Sequence, residues 1–398
     1  MRLALKIWCK VWCVEREWYT TVVRLVWSAA ALIKFFIWSS HRRSILGTDI
    51  EQDMRVLTNV SLQELTTFRL GGVARFFCSV ASLEELRDAI AYAKTRGLRF
   101  FILGKGSNVL FSDDGFDGLV IRINLRGRHY EEDSKGDARV TAGAGELWDD
   151  LVAETVSQGL WGMENLSAIP GTVGAVPVQN VGAYEVEVRD LIDWVEVLNT
   201  KENSLHIFSV ADCEFGYRES VFKRPEGQHY IVTRVAFRLS TYPTPKLTYR
   251  DLAAHFDGTD TGKLAPKDVS DAVREIRARK LPNVAEVGTA GSFFKNPVVS
   301  DQIYQELIRW FEYLPAHPHG EGMYKLSAAY LLEQFGWKGR RSGAVGCWDT
   351  QPLCLVHYGG GSTSDLIEFA NTIVRDVKEH TTIILEPEVR CIDVDMKM

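Results

Sequence analysis

The sequence predicts an α+β fold in which a larger ligand-binding part is followed by a smaller second part. Three observations carry that expectation. From Val56 onward, short apolar runs rich in β-branched and aromatic residues alternate with segments of helical periodicity. A glycine cluster follows one such run at its carboxyl end, where α/β proteins hold ligands. Helix-rich sequence then gathers late, beginning near "KDVSDAVREIRARKLP". With 398 residues, 46% of them hydrophobic and 25% charged, the chain has material for two or three cored domains.

Taken in order, "SLEELRDAIAYAKTRGL" reads as a helix capped by Ser82 with Glu85 three residues on, burying Leu86, Ile90 and Ala93 and stopping at Gly97. "RFFILGKGSN" follows as a strand running into a turn in which Gly104 and Gly106 flank Lys105, before Ser107 and Asn108. Glycines let a ligand approach the backbone, and successive N–H groups beside a serine hydroxyl suit a diphosphate. Taken alone, such a turn is more often only a turn. Residues 162–188 form a second loop, with Gly162, Gly171, Gly174 and Gly182 beside Pro170 and Pro177, poor material for helix or strand. Two such loops are suited to clasp a dinucleotide from both sides. Strands are expected in "GLVIRI", "ARVTAGAG", "WVEVLN", "YIVTRVAFRLS" and finally "TTIILEPEVRCIDV".

The first residues read differently. "VVRLVWSAAALIKFFIW" is an apolar run of 17 residues broken by Arg24 and Lys34, marginal in length for a membrane span. It reads either as a membrane-associated segment or as an extension from an upstream start, with Met54 opening the functional chain. Residues 1–43 carry a net +6, which leaves −12 on the rest. An acidic body argues against nucleic acid as the main partner. The seven cysteines are scattered and contain no C-x-x-C pair, which fits free thiols in a reducing cytoplasm and no metal site.

Ser292, in "TAGSFFKNPVV", lacks the bracketing glycines of a nucleophile elbow, so its hydroxyl is read as a proton donor before a nucleophile. Without further context it is a serine in a turn. Arg277 and Lys280 share a helix face and form a cationic pair for a diphosphate, or else an ordinary basic helix end.

Seven segments, "TTFRLGG", "GKGSN", "ENLSAIPGTVGAVPVQNVGAY", "FGYRESVFK", "KLTYRDL", "AGSFFKNP" and "LEPEVR", occur in an order that resembles the type I form of the UDP-N-acetylenolpyruvoylglucosamine reductase family, flavoenzymes of bacterial peptidoglycan synthesis. The resemblance spans residues 56 to 393. It implies an N-terminal extension (1–53), an FAD-binding domain of the vanillyl-alcohol-oxidase/PCMH type (54–248) and a smaller α+β substrate-binding domain (249–398) whose last strand returns to the active site. It also implies reduction of an enolpyruvyl ether of a UDP-sugar to a lactyl ether, with NADPH as reductant, by a cytoplasmic monomer. Ser292 is the implied proton donor, and Arg218 and Glu388 the implied partners of the substrate carboxylate; spacing alone does not choose between Glu386 and Glu388. The implied FAD residues are Gly104, Gly106, Ser107, Asn108, Pro170, Gly171, Gly174, Gln179, Asn180, Gly182, Ala183 and Tyr184. The implied substrate residues are Tyr217, Tyr249, Arg277, Lys280, Asn296 and Gln351. The chain departs from the pattern at Lys105, where many members have glycine, and at Trp348, near a position often held by histidine. An oxidase of the same superfamily is the competing reading, but it gives no reason to combine Ser292, Arg218 and Glu388 with diphosphate contacts.

Overall fold

Ser82 caps the first helix as its sequence requires: its side chain accepts the Glu85 N–H at 3.1 Å, and Glu85 reaches back to the Ala81 N–H at 2.7 Å. This computed structural model describes residues 48–51, 54–132 and 137–396; the basic apolar segment at the start of the chain lies outside the described residues. Among the described residues, no helix is long and apolar enough to cross a membrane.

Strands β1 (Met54–Ser61) and β2 (Val73–Val80) precede helix α1 (Leu83–Thr95), which buries Leu86, Ala89, Ile90 and Ala93. Strands β3 (Phe100–Leu103), β4 (Val109–Phe111) and β5 (Phe116–Ile123) follow. In the first sheet β1, β2, β5 and β3 lie side by side in that order, with β5 parallel to both β2 and β3. Parallel neighbours require crossovers, and α1 supplies one between β2 and β3.

The second sheet is antiparallel throughout. It uses β6 (Arg128–Glu132) and β7 (Asp137–Gly143) and, after helix α2 (Trp148–Ser157), β8 (Ile192–Asn199), β9 (Ser204–Ser209) and β10 (Tyr230–Ser240), in the order β9-β8-β10-β7-β6. One core joins α1, α2 and both sheets, with Trp148 and Phe237 edge to face at 5.6 Å between ring centres.

Helix α3 (Pro266–Lys280) begins on Pro266, whose missing N–H costs nothing at a helix start. Its apolar face, Val269, Ala272, Val273 and Ile276, packs with Trp161 and Leu252. Arg274 grips Asp149 of α2 at 2.7 and 2.8 Å, so this helix leans on the early part of the molecule. Strands β11 (Gly288–Ser292), β12 (Val345–Cys347) and β13 (Cys354–His357) build a small sheet in which β13 is central, backed by α4 (Thr363–Thr381). The last strand, β14 (Arg390–Ile392), pairs in parallel with β4, some 280 residues earlier in the sequence.

This late core is not self-contained. Phe68, Leu70 and Leu110 from the early chain are buried in it with Phe293, Phe294, Leu331 and Leu355. Asp113 accepts the Thr363 and Ser364 N–H groups at 2.7 and 2.8 Å and so caps α4 from the early half. His357 is a third tie: the Gly361 N–H donates to Nε2 at 3.1 Å, and Nδ1–H donates to the Phe68 carbonyl at 3.3 Å. His357→Leu strands both backbone groups in a buried seam. The expected loss of unfolding free energy is about 1 to 3 kcal/mol, read as a lower urea midpoint at unchanged slope.

Candidate active site

The two glycine loops meet. Ser107 Oγ donates to the Pro170 carbonyl at 3.1 Å, and a methyl group on Gly104 would stand 2.5 Å from Thr172 Oγ1. Gly106 is more tightly constrained: its φ is +72°, and a Cβ there would stand 2.1 Å from the Leu65 carbonyl oxygen. Its own carbonyl accepts the Thr67 N–H at 3.0 Å, which locks the loop to the "TTFRLGG" turn. Between the loops lies a cavity of about 270 Å³, lined by Gly104, Lys105, Gly106, Ser107, Asn108, Thr172, Gly174 and Gln179 and walled by Phe101, Ile123, Val232 and Phe222.

Three features fit this cavity to a flavin dinucleotide. Among the described residues its charged lining consists of cations, Lys105 and Arg390, which suits an anion. Gln179 Oε1 is buried with no partner among the described residues. The loops that wall the cavity keep this packing only because Gly104 and Gly106 have no side chain to meet Thr172 and the Leu65 carbonyl. Gly106→Ala is therefore expected to yield protein with less than about a tenth of the normal flavin content, consistent with a loss above 1.4 kcal/mol. The check is the ratio of flavin to protein absorbance after purification.

Not all the residues read as flavin contacts line this cavity. Pro170, Gly171, Asn180, Gly182, Ala183 and Tyr184 are not among its lining residues. Asn180 is fully buried and donates to Glu187 at 2.9 Å and to the Gly216 carbonyl at 2.8 Å. Gly182 and Ala183 form one arm of a hairpin with Val186 and Glu187. Tyr184 sets its ring edge to face with Tyr249 at 4.9 Å, and burial pushes its hydroxyl up to about 12. Asn180, Tyr184, Glu185 and Arg218 all hold positive φ without being glycine, a concentration of backbone strain on this side of the site.

Arg218 sits at φ +54° in a tight turn closed by Gly216 and Glu219. Its Nη2 donates to the Gly182 carbonyl at 2.8 Å, and its Nε lies 2.8 Å from Glu388 Oε1. That approach is off the hydrogen-bond line, leaving Nε a close ionic contact. Burial holds the Glu388 carboxyl above the usual carboxylate range, while Arg218, Lys223 and Lys295 pull it down. The structure separates the two glutamates that spacing did not: Glu388 faces Arg218, whereas Glu386 pairs with Lys295 at 3.2 Å and is exposed.

Ser292 ends β11, opposite Cys354 of β13. Its neighbours explain its placing. Phe293 and Phe294 are fully buried, 5.0 Å apart and edge to face, and they anchor the strand end in the late core. The Phe293 carbonyl accepts the Glu388 N–H at 2.7 Å, so Ser292 is one residue from the backbone contact that carries Glu388. Ser292 is half-buried, and its hydroxyl has no hydrogen-bond partner among the described residues. Asn108 completes the link: its side chain donates to the Glu388 carbonyl at 3.2 Å, and its carbonyl accepts the Arg390 N–H at 3.1 Å.

The remaining candidates are each held by contacts of their own. The Asn296 N–H donates to Tyr217 Oη at 3.3 Å, and the Asn296 side chain accepts the Ala328 N–H at 3.0 Å. Arg277 Nε–H donates to the Ala168 carbonyl at 3.3 Å, and burial lowers its pKa. Lys280 is ion-paired with Asp251, beside Tyr249, and its carbonyl accepts the Thr350 hydroxyl. The Gln351 carbonyl accepts the Cys354 N–H at 2.9 Å, which places Gln351 on the turn leading into β13. Two lysines escaped the sequence reading. Lys325 stands 4.7 Å from the centre of the Tyr217 ring, and Lys223 donates to the Arg218 carbonyl at 2.8 Å. Only the second was within sight, as the last residue of "FGYRESVFK".

The chain is similar to known proteins over most of its length. A family model described as an FAD binding domain matches residues 74–207, and one described as the UDP-N-acetylenolpyruvoylglucosamine reductase C-terminal domain matches residues 283–392. UDP-N-acetylenolpyruvoylglucosamine reductase of Ralstonia nicotianae is 42% identical over 325 residues, 81% of this chain and 95% of the relative. The protein of that name from an Azoarcus species is 41% identical over 344 residues, 85% of this chain and 99% of the relative. The crystal structure of the Thermus caldophilus reductase is 28% identical and superposes with a TM-score of 0.60 over 85% of this chain and 99% of that one. With an FAD-binding domain, a reductase-specific C-terminal domain and this degree of identity over most of its length, the chain belongs to the UDP-N-acetylenolpyruvoylglucosamine reductase family.

Proposed function

We propose that this chain reduces UDP-N-acetylglucosamine enolpyruvate to UDP-N-acetylmuramate, with NADPH as reductant and Ser292 as proton donor. The observation that carries the reading is the convergence of Ser292, Arg218 and Glu388 from three distant segments, beside a cavity suited to FAD. FAD, when bound, supplies the hydride it has taken from NADPH. The hydride adds to one carbon of the enolpyruvyl double bond, and charge develops on the other carbon and on its carboxylate.

Arg218 presents a planar cation to that charge, and the Glu388 carboxyl, held above the usual range by burial, donates one further hydrogen bond when it carries its proton. Ser292 gives its hydroxyl proton to the charged carbon; no base is needed beside it, because the carbon itself is the stronger base. Lys223 and Lys295 add positive charge around a single buried carboxylate, which favours an anionic substrate. Arg277, Lys280, Tyr217, Tyr249, Asn296 and Gln351 are assigned to the nucleotide diphosphate and its sugars. The five described cysteines are unpaired, which fits a cytoplasmic enzyme.

The test is anaerobic. Flavin-loaded protein should bleach with NADPH and regain its colour when the enolpyruvyl UDP-sugar is added, with formation of the lactyl ether. A reduced flavin that the substrate does not reoxidise would overturn the assignment.

A further inference from the structure

The turn Val221–Lys223 is fixed by the burial of Val221 and Phe222 and by the Val221 N–H bond to the Cys213 carbonyl at 2.9 Å. It brings Lys223 to Arg218, where its ammonium donates to the Arg218 carbonyl at 2.8 Å. Arg218 is the residue held at φ +54°, so its carbonyl direction and its side-chain direction are set together in a conformation that an arginine ordinarily avoids. Lys223 has no carboxylate within ion-pair distance among the described residues. Burial, Lys295 and Arg390 lower its pKa, opposed by Glu219 and Glu388. A buried ammonium that makes no ion pair among the described residues and is bonded to one carbonyl is costly unless the contact serves something else.

We infer that Lys223 is a positioning residue, which clamps the Arg218 carbonyl so that the guanidinium is held against Glu388. The inference rests on the proposed role of the Arg218–Glu388 pair. It carries a second consequence, because the charged groups acting on the Glu388 carboxyl are Arg218, Lys223 and Lys295. Removing one of these cations makes Glu388 hold its proton to higher pH.

The experiment uses the flavin-loaded full chain, with reoxidation by the enolpyruvyl UDP-sugar followed by stopped flow across pH. Lys223→Met should slow reoxidation by about 10- to 100-fold, as sub-ångström misplacement of a catalytic group does, with flavin content and the NADPH half-reaction unchanged. Its pH profile is the readout that a purely structural role would not move. The limb on which activity falls with rising pH should shift upward by about half to one unit. Lys223→Arg, which keeps the donor and the charge, should restore most of the rate and the original limb.

A Lys223→Met enzyme with the wild-type rate and limb would overturn the inference, as would Met and Arg variants that lose flavin equally. Arg218→Ala is measured in parallel. If it does not slow reoxidation, the reading of the pair fails and the inference falls with it. If it does and Lys223→Met does not, only the inference fails.

Discussion

Ser292→Ala is expected to slow flavin reoxidation by the enolpyruvyl substrate by a factor of about 10² to 10⁴, the range for a positioned acid. Flavin binding and reduction by NADPH should be unaffected, since neither places a proton on the substrate carbon. The structure favours a clean result: the hydroxyl has no partner to strand, and Phe293 and Phe294 hold the strand end without it. Ser292→Cys retains a proton and should keep more activity than the alanine. Substrate affinity measured apart from the reoxidation rate separates chemistry from binding. Wild-type reoxidation in the alanine variant would remove Ser292 from the mechanism.

Arg218→Ala is expected to cost about 10² to 10³ in the same step, the size typical of deleting one preorganised electrostatic group. Here the loss has two sources. The developing charge loses its planar cation, and Glu388 loses the partner 2.8 Å from its oxygen. Arg218 lowers the proton affinity of Glu388, so its removal raises that affinity, and any rate limb governed by Glu388 moves to higher pH. Arg218→Lys keeps the charge but not the fork that also reaches the Gly182 carbonyl, and it should recover only part of the rate. A full-rate Arg218→Ala enzyme with an unmoved pH profile would exclude both effects.

Local features were legible in the sequence, and long-range ones were not. The cap, buried stripe and stop of α1 are written within 17 residues, and its core face is the one the spacing names. Both glycine loops announce themselves by composition, because close backbone approach leaves few alternatives to glycine. That the loops touch through Ser107 and Pro170 is a matter of chain path and has no local signature. The same limit hid the ties that build the site. The choice of Glu388 over Glu386 is made by which residue faces Arg218, 170 positions earlier. Lys280, legible as a cation, is held by Asp251, which lies on another helix. Tyr184 is implied as a flavin residue by the resemblance, and nothing local in the sequence announces that its ring meets Tyr249 or that Asn180, Tyr184 and Glu185 hold positive φ.

The parallel pairing of β14 with β4 bears on how the holoenzyme comes into being. Arg390 lines the flavin cavity, and its N–H donates to the Asn108 carbonyl, so one wall of the cofactor site is supplied by a strand that lies some 280 residues after β4. A nascent chain that has folded both early sheets still presents that site open on one side. Joining ends so far apart is entropically slow. Closure of the flavin cavity is thus coupled to the docking of β14 on β4, and full flavin content reports that this strand is in place.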